Sequence, residues 1–283
     1  MGLFTEFAAA GLGLLAAASW GAGDFTGGLA SRRASLFSLL LFLRIVEFGL
    51  LVALALVVSE PLPSLTVLAW GGAAGFFGGL GIAALYRALS MAPMGLSAPL
   101  SAVIGASVPV LFAAVTEGLP STYRLVGFGL ALVGVWLIAG PSNGGHSNQG
   151  LAFAVVAGIA FGVFYILLRQ AGTTAVFWPL AAALFVSLMQ AVVILLVWRS
   201  LWRRPERETM RLGALAGVLD VGGNVFYVLA NHAGRLDVAV ILSSLYPAFT
   251  VLLAWVILRE HLTRAQWLGV AAVLAAIPLV AVG

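Results

Sequence analysis

The sequence predicts an all-α polytopic membrane protein, with ten transmembrane helices arranged as two inverted five-helix repeats. Three observations carry that prediction. The chain of 283 residues is 62% hydrophobic and only 8% charged, with a mean hydropathy of +1.12, and a water-soluble fold cannot cover its surface with so little charge. Ten apolar runs approach the roughly 20 residues that a helix rising 1.5 Å per residue needs to cross a hydrocarbon core of about 30 Å. The two halves of the chain carry the same features in the same order, and an odd number of spans per half makes the second half enter the membrane from the opposite side.

The first run, Ala8 to Leu29, follows "MGLFTEF". That opening has neither a basic leader nor a small-residue cleavage site, so the run is expected to be a retained helix. The second, Ser35 to Val58, holds Arg44 and Glu47 three residues apart, close enough on a helix to neutralise each other. The third, Thr66 to Ser90, is glycine-rich; Gly71, Gly75 and Gly79 have the small-xxx-small spacing of tightly packed membrane helices. The fourth (Leu96 to Thr116) and ninth (Asp237 to Leu258) contain Pro99 and Pro247, each expected to interrupt backbone hydrogen bonding or mark a bend. The fifth is Thr122 to Gly140. Leu151 to Leu168, Val176 to Trp198 and Leu212 to Asn231 supply the sixth to eighth, and Arg264 to Val282 the last; Thr263 and Gln266 read as a capping box that opens it. Breakers such as "SEPLPS", "EGLPS" and "GPSNGGHSNQG" fill the connections. The last of these divides the chain into a first repeat (1–140), a linker (141–150) and a second repeat (151–283).

A shift of about 141 to 143 residues superposes the halves. It brings Trp20-Gly21 onto Phe161-Gly162, Tyr86 onto Tyr227, Glu117 onto Glu260 and Gly127 onto Gly269.

Four stretches resemble the EamA-like family of the drug/metabolite transporter superfamily. They are "WGAGDF" from Trp20, Arg44, "ALYRAL" from Ala84, and "YPAFTVLLAWVILREHLTRAQWLGV" from Tyr246. In the last, Pro247 precedes Glu260 by thirteen residues and Gln266 and Gly269 follow. The first repeat departs from this pattern, with Pro109 only eight residues before Glu117 and Arg124 where the glutamine would stand. The resemblance implies a ten-helix carrier of two five-helix repeats that exports or imports amino acids and other small metabolites.

A carboxylate at mid-bilayer costs about 2.5 to 3.5 kcal/mol on insertion scales, so charges within spans are expected to be paired or functional. Asp24 and Asp220 have no partner within a turn of their own helices. Asp24 follows Trp20 by four residues, so ring and carboxylate share a face suited to a cationic or amino-bearing ligand; the alternative is pairing with Arg32, Arg33 or Arg87. On the eighth run Asp220, Asn224, Tyr227 and Asn231 form one stripe at spacings of 4, 3 and 4. Such a stripe suits a wetted cavity wall, the alternative being inter-helix hydrogen bonding. Tyr86 mirrors Tyr227 across the repeat, and Gly79 and Ala83 beside it would leave room opposite. Tyr246 shares a face with Ser243 and Thr250. The predicted substrate site is therefore Trp20, Asp24, Tyr86, Asp220, Asn224, Tyr227 and Tyr246. Glu117, Glu260 and His232 sit at span ends and read as structural.

A membrane multi-pass secondary transporter by alternating access follows, with a small-molecule substrate, membrane lipid as its surroundings, no cofactor, no nucleic acid, and a monomeric state. A lipid-carrier flippase is the alternative within the superfamily. An intramembrane enzyme would want a serine or metal constellation, and the sequence has no Gly-x-Ser-Gly motif, no cysteine and only three histidines; a Walker-type nucleotide site is likewise missing. In this numbering of spans ten arginines fall on one side and three (Arg124, Arg169, Arg235) on the other. The charge count makes the first side cytoplasmic and places both termini outside, whereas the family resemblance suggests the reverse.

Overall fold

The computed structural model describes residues 3–31, 36–91, 94–139, 148–172, 174–201, 206–258 and 263–282. Their regular structure is helical throughout. The helices are α1 (Leu3–Ser31), α2 (Leu36–Val57), α3 (Leu65–Met91), α4 (Met94–Thr116), α5 (Thr122–Ala139), α6 (Asn148–Gln170), α7 (Phe177–Val197), α8 (Arg207–Ala233), α9 (Leu236–Ser243), α10 (Tyr246–Leu258) and α11 (Arg264–Val282). Residues 140–147, most of the expected linker, lie outside the described residues, and α6 already begins at Asn148.

Each predicted run corresponds to one helix except the ninth, which is divided into α9 and α10 at Ser244 and Leu245. The break falls just ahead of Pro247, which has no N–H with which to continue the ladder. The Ser244 hydroxyl and backbone N–H both donate to the Val240 carbonyl, at 2.6 and 2.9 Å, and finish α9. By contrast α4 runs unbroken through Pro99. One missing donor in the second turn removes a single bond while the rest of the helix continues, so Pro99 does not divide its helix as the segment before Pro247 is divided.

Among the described residues six segments are long and apolar enough to cross a membrane, namely Ser38–Val57, Leu65–Leu85, Gln149–Gln170, Phe177–Val197, Arg207–Ala233 and Leu236–Ile257. Leu100–Thr116, Thr122–Leu137 and Arg264–Ala276 are shorter apolar helices. The glycine-rich α1 has the length but is not among the six.

The outer surface is apolar. Val57, Leu65, Val115, Leu119 and Leu274 are all more than 60% exposed, which is unfavourable in water and natural against lipid. The buried interior is rich in alanine, from Ala16 and Ala17 on α1 to Ala74, Ala113 and Ala276. Small side chains let backbones approach closely where lipid offers no hydrophobic penalty for separation. The expected role of the α3 glycines holds. A Cβ on Gly71 would collide with the Pro179 carbonyl of α7, and one on Gly75 with that of Ala183. Gly79 leaves no room opposite, because the Gln190 side chain fills that space.

The tightest packing joins helices from different halves of the chain. α1 lies along α8 and α6 along α3; α2 packs on α7 and α5 on α11; α4 lies on α6, and α1 on α9 and α10. The halves interleave, so their interface runs through the centre of the protein.

Candidate functional site

At that centre α1 presses on α8. The indole of Trp20 lies over Gly223, where any Cβ would collide with it. This contact brings Trp20 to the middle of an aromatic cluster. Its ring centroid is 5.7 Å from Tyr227, 6.2 Å from Tyr165 and 6.5 Å from Tyr246, and Tyr165 is 4.9 Å from Tyr227. Tilted and edge-on arrangements at these distances are the favourable ones for aromatic pairs. The cluster draws on α1, α6, α8 and α10. Of the predicted site, Trp20, Tyr227 and Tyr246 come together here. Tyr165 was missed, although the repeat alignment holds a signal for it: the shift that superposes Trp20 on Phe161 also places Asp24 on Tyr165. Tyr86 lies toward the C-terminal end of α3, and its side chain is outside what the structure describes.

Charged groups adjoin the aromatic cluster. Arg44 Nη1 donates to Glu47 Oε2 at 2.6 Å, the intrahelical pair expected from the spacing, and lies 3.8 Å from Asp220 Oδ2. Asp220 also accepts from Asn224 Nδ2 at 2.9 Å. It therefore has a cationic neighbour on another helix that its own helix could not reveal. The Asp220 side chain is 35% exposed whereas that of Glu47 is 3% exposed. Asp24 is exposed, and it makes no hydrogen bond or ion pair with a described residue. It lies within electrostatic range of Asp220, Tyr165 and Tyr246. Arg32 and Arg33, suggested as partners for it, are outside the described residues.

The α8 stripe is divided. Asp220 is partly exposed, but Asn224, Tyr227 and Asn231 are buried, Tyr227 against Trp20 of α1 and Tyr165 of α6 and Asn231 beneath Arg169 of α6. Asn231 Nδ2 donates to the Tyr227 carbonyl at 3.2 Å, while the Tyr227 hydroxyl and Asn231 Oδ1 are buried without a hydrogen-bond partner. Beside the aromatic rings a narrow cleft with room for about one water molecule is lined by Ser101, Ala102, Gly105, Ala106, Phe161, Tyr165, Ser244 and Tyr246. Ser243, expected to face a cavity with Tyr246, is fully buried and donates to the Val240 carbonyl, while Thr250 donates to the Gly21 carbonyl of α1.

One end of the molecule is sealed by polar contacts between the halves. The Glu60 carboxylate, in the α2–α3 connection, accepts from the backbone N–H groups of Val176, Phe177 and Trp178 at 2.7 to 3.0 Å and so caps α7. Trp178 Nε1 returns a bond to the Glu60 carbonyl at 2.9 Å. Nearby, Arg169 at the end of α6 donates to the Asn231 and Gly234 carbonyls and to Glu117 at 3.4 Å. Glu117 also accepts from the Leu236 N–H at 3.3 Å. Arg235 grips the buried Asp237 at 3.0 Å and donates to the Glu117 and Gly118 carbonyls. His232 bonds to the Gly172 carbonyl at 3.1 Å. Glu117 and His232, read from the sequence as structural, are both held in these contacts. Glu260 lies outside the described residues.

The model of the EamA-like transporter family matches residues 148–282. The second half of the chain is thus similar to the EamA-like transporter family. An uncharacterized transporter of Synechocystis sp. (strain ATCC 27184 / PCC 6803 / Kazusa) is 26% identical over 211 residues, covering 72% of this chain and 64% of the relative. The chain thus spans less than two thirds of that relative's length. A protein of known crystal structure shares the fold with a TM-score of 0.75 at 18% identity, over 96% of this chain and 95% of the other. Within the EamA-like half, the Thr263–Gln266 capping box is formed. Gln266 Oε1 accepts from the Thr263 N–H at 2.8 Å, and Thr263 Oγ1 accepts from the Gln266 N–H at 3.3 Å.

Proposed function

We propose that this chain is a secondary transporter of a cell membrane that moves small amine-bearing metabolites, amino acids first, by alternating access between two inverted five-helix repeats. The observation that carries the reading is the asymmetry around the aromatic cluster. On one side Glu60, Glu117, Arg169 and Arg235 tie the halves together; on the other, Asp24 and Asp220 are accessible. A solute site reached from one face only is what one limb of an alternating cycle requires.

Three further features support it. Exchanging the halves turns the α1–α8 pairing into α6–α3 and the α4–α6 pairing into that of α9 and α10 with α1, while α2–α7 and α5–α11 map onto themselves. The divided α9–α10 segment resembles the discontinuous helices that transporters use beside their substrate. The relative's description as a transporter agrees as well. Arg169 and Arg235, two of the three arginines on the sealed side, are engaged in the contacts that seal it, and the arginine-rich end is the open one. By the charge rule that open end faces the cytoplasm. One chain holds the whole cluster, so a monomer suffices.

The test is counterflow of labelled amino acids and amines in proteoliposomes containing the purified full chain. Exchange that saturates and requires both the protein and an internal solute supports the reading; equal fluxes in protein-free vesicles refute it.

A further inference from the structure

The charge balance at the open end carries the reading further. Asp24, Asp220 and Glu47 supply three carboxylates, and Arg44 is the guanidinium among them. Arg44 is committed to Glu47 at 2.6 Å, with Asp220 as its second contact at 3.8 Å, so it is not available to receive a carboxylate from a ligand. Asp24, in contrast, makes no hydrogen bond or ion pair with a described residue. It shares a helix face with Trp20, whose indole is ringed by three tyrosines. A second, independent feature also points to a ligand. Ser101 is only 2% exposed and its Oγ has no hydrogen-bond partner, yet the residue lines the cleft beside Tyr165 and Tyr246. A buried hydroxyl left unpaired is costly, and the cleft has room for one small polar group, such as the end of a solute, to satisfy it.

We propose that the site selects organic cations whose ammonium group stands apart from any carboxylate. These are alkyl amines and diamines, and basic amino acids held by their side-chain ammonium. The inference rests on the transporter reading above. The ammonium sits between Asp24 and Asp220, and the alkyl chain lies along Trp20, Tyr165 and Tyr246, whose rings give it apolar contact. A zwitterion bound by its own α-ammonium brings a carboxylate to the same place. That carboxylate meets Asp24 and Asp220 as like charges and finds Arg44 already paired, so it is rejected.

The experiment compares counterflow of labelled 1,5-diaminopentane, lysine and leucine in proteoliposomes holding the full chain, with each unlabelled solute as competitor. The expected result is exchange of diaminopentane and lysine, with leucine slower by about tenfold or more, the scale of one lost charge-assisted contact. Asp24→Asn is expected to lower diaminopentane exchange about tenfold, and Asp24→Glu to restore part of it. If Asp24→Asn does not yield folded protein, the competition series on the unaltered chain decides alone. Leucine exchanging as fast as diaminopentane, or a preference for diaminopentane that survives Asp24→Asn, overturns the inference while leaving the transporter reading in place. Exchange of none of the three by folded protein overturns both.

Discussion

Removing Glu117 should open the sealed end. Its carboxylate holds two groups of the second half, Arg169 Nη2 at 3.4 Å and the Leu236 N–H at 3.3 Å. A hydrogen bond to a charged group contributes about 1.5 to 3 kcal/mol when short and dry. These two are long, and the Arg169 and Glu117 side chains are 27% and 21% exposed, so solvent screening reduces the pair to a combined 1 to 2 kcal/mol, on the order of one good charged bond. If the contacts exist only while this end is closed, Glu117→Ala raises the open population by about 5- to 30-fold, since 1.4 kcal/mol is a factor of ten. The chain has no cysteine, which makes the assay direct. Asn231 is 4% exposed and lies beneath the Arg169 contact, and Asn231→Cys keeps the backbone carbonyl that Arg169 uses. The labelling rate of that cysteine with an impermeant maleimide reports opening. The rate should rise by the same factor in the Glu117→Ala background, and rise less in unaltered protein when salt is increased. An unchanged labelling rate together with a lowered melting midpoint would refute the argument, because Glu117 would then hold the fold and not the gate.

Other expectations are equally specific. Glu60→Ala removes the acceptor for three N–H groups at the start of α7 and should destabilise the protein by about 1 to 2 kcal/mol; Glu60→Gln should melt between it and the unaltered chain in a detergent thermal scan. Gly75→Leu must push α7 away from α3 and should cost about 1 to 3 kcal/mol or more, read as loss of the monodisperse peak on size-exclusion chromatography, whereas Gly49→Ala, with nothing within 4 Å, should elute normally. Asn224→Leu keeps the volume but removes the donor to Asp220; transport should fall about tenfold with the melting midpoint preserved, and undiminished transport would reduce Asn224 to helix packing. Transport should be facilitated exchange, insensitive to an imposed pH gradient, because holding a substrate ammonium requires only a charge on Asp24 or Asp220 and no proton transfer. Accumulation above equilibrium that Asp24→Asn or Asp220→Asn abolishes would reverse that expectation.

Much of the architecture is legible in the residues alone, because a bilayer imposes a length, an apolar composition and helical backbone pairing on every span. The same simplicity makes the α3 glycines readable as a packing face, Thr263 and Gln266 as a cap, and Arg44 and Glu47 as a pair, since each depends on spacing within a single helix. What the sequence could not supply is anything that depends on which helix lies beside which. Apolar surfaces are nearly interchangeable in lipid, so partner choice rests on shape: Trp20 settles over Gly223, and Gly75 against the Ala183 carbonyl. Only that packing gives Asp220 its neighbour Arg44, buries Asn224, Tyr227 and Asn231, and brings Tyr165 into the aromatic cluster. Only packing, too, turns Glu60, an ordinary loop acid in the sequence, into the cap of a helix more than a hundred residues away. Spacing along one helix shows which side chains share a face, but what that face meets is set by close contact between helices distant in the chain.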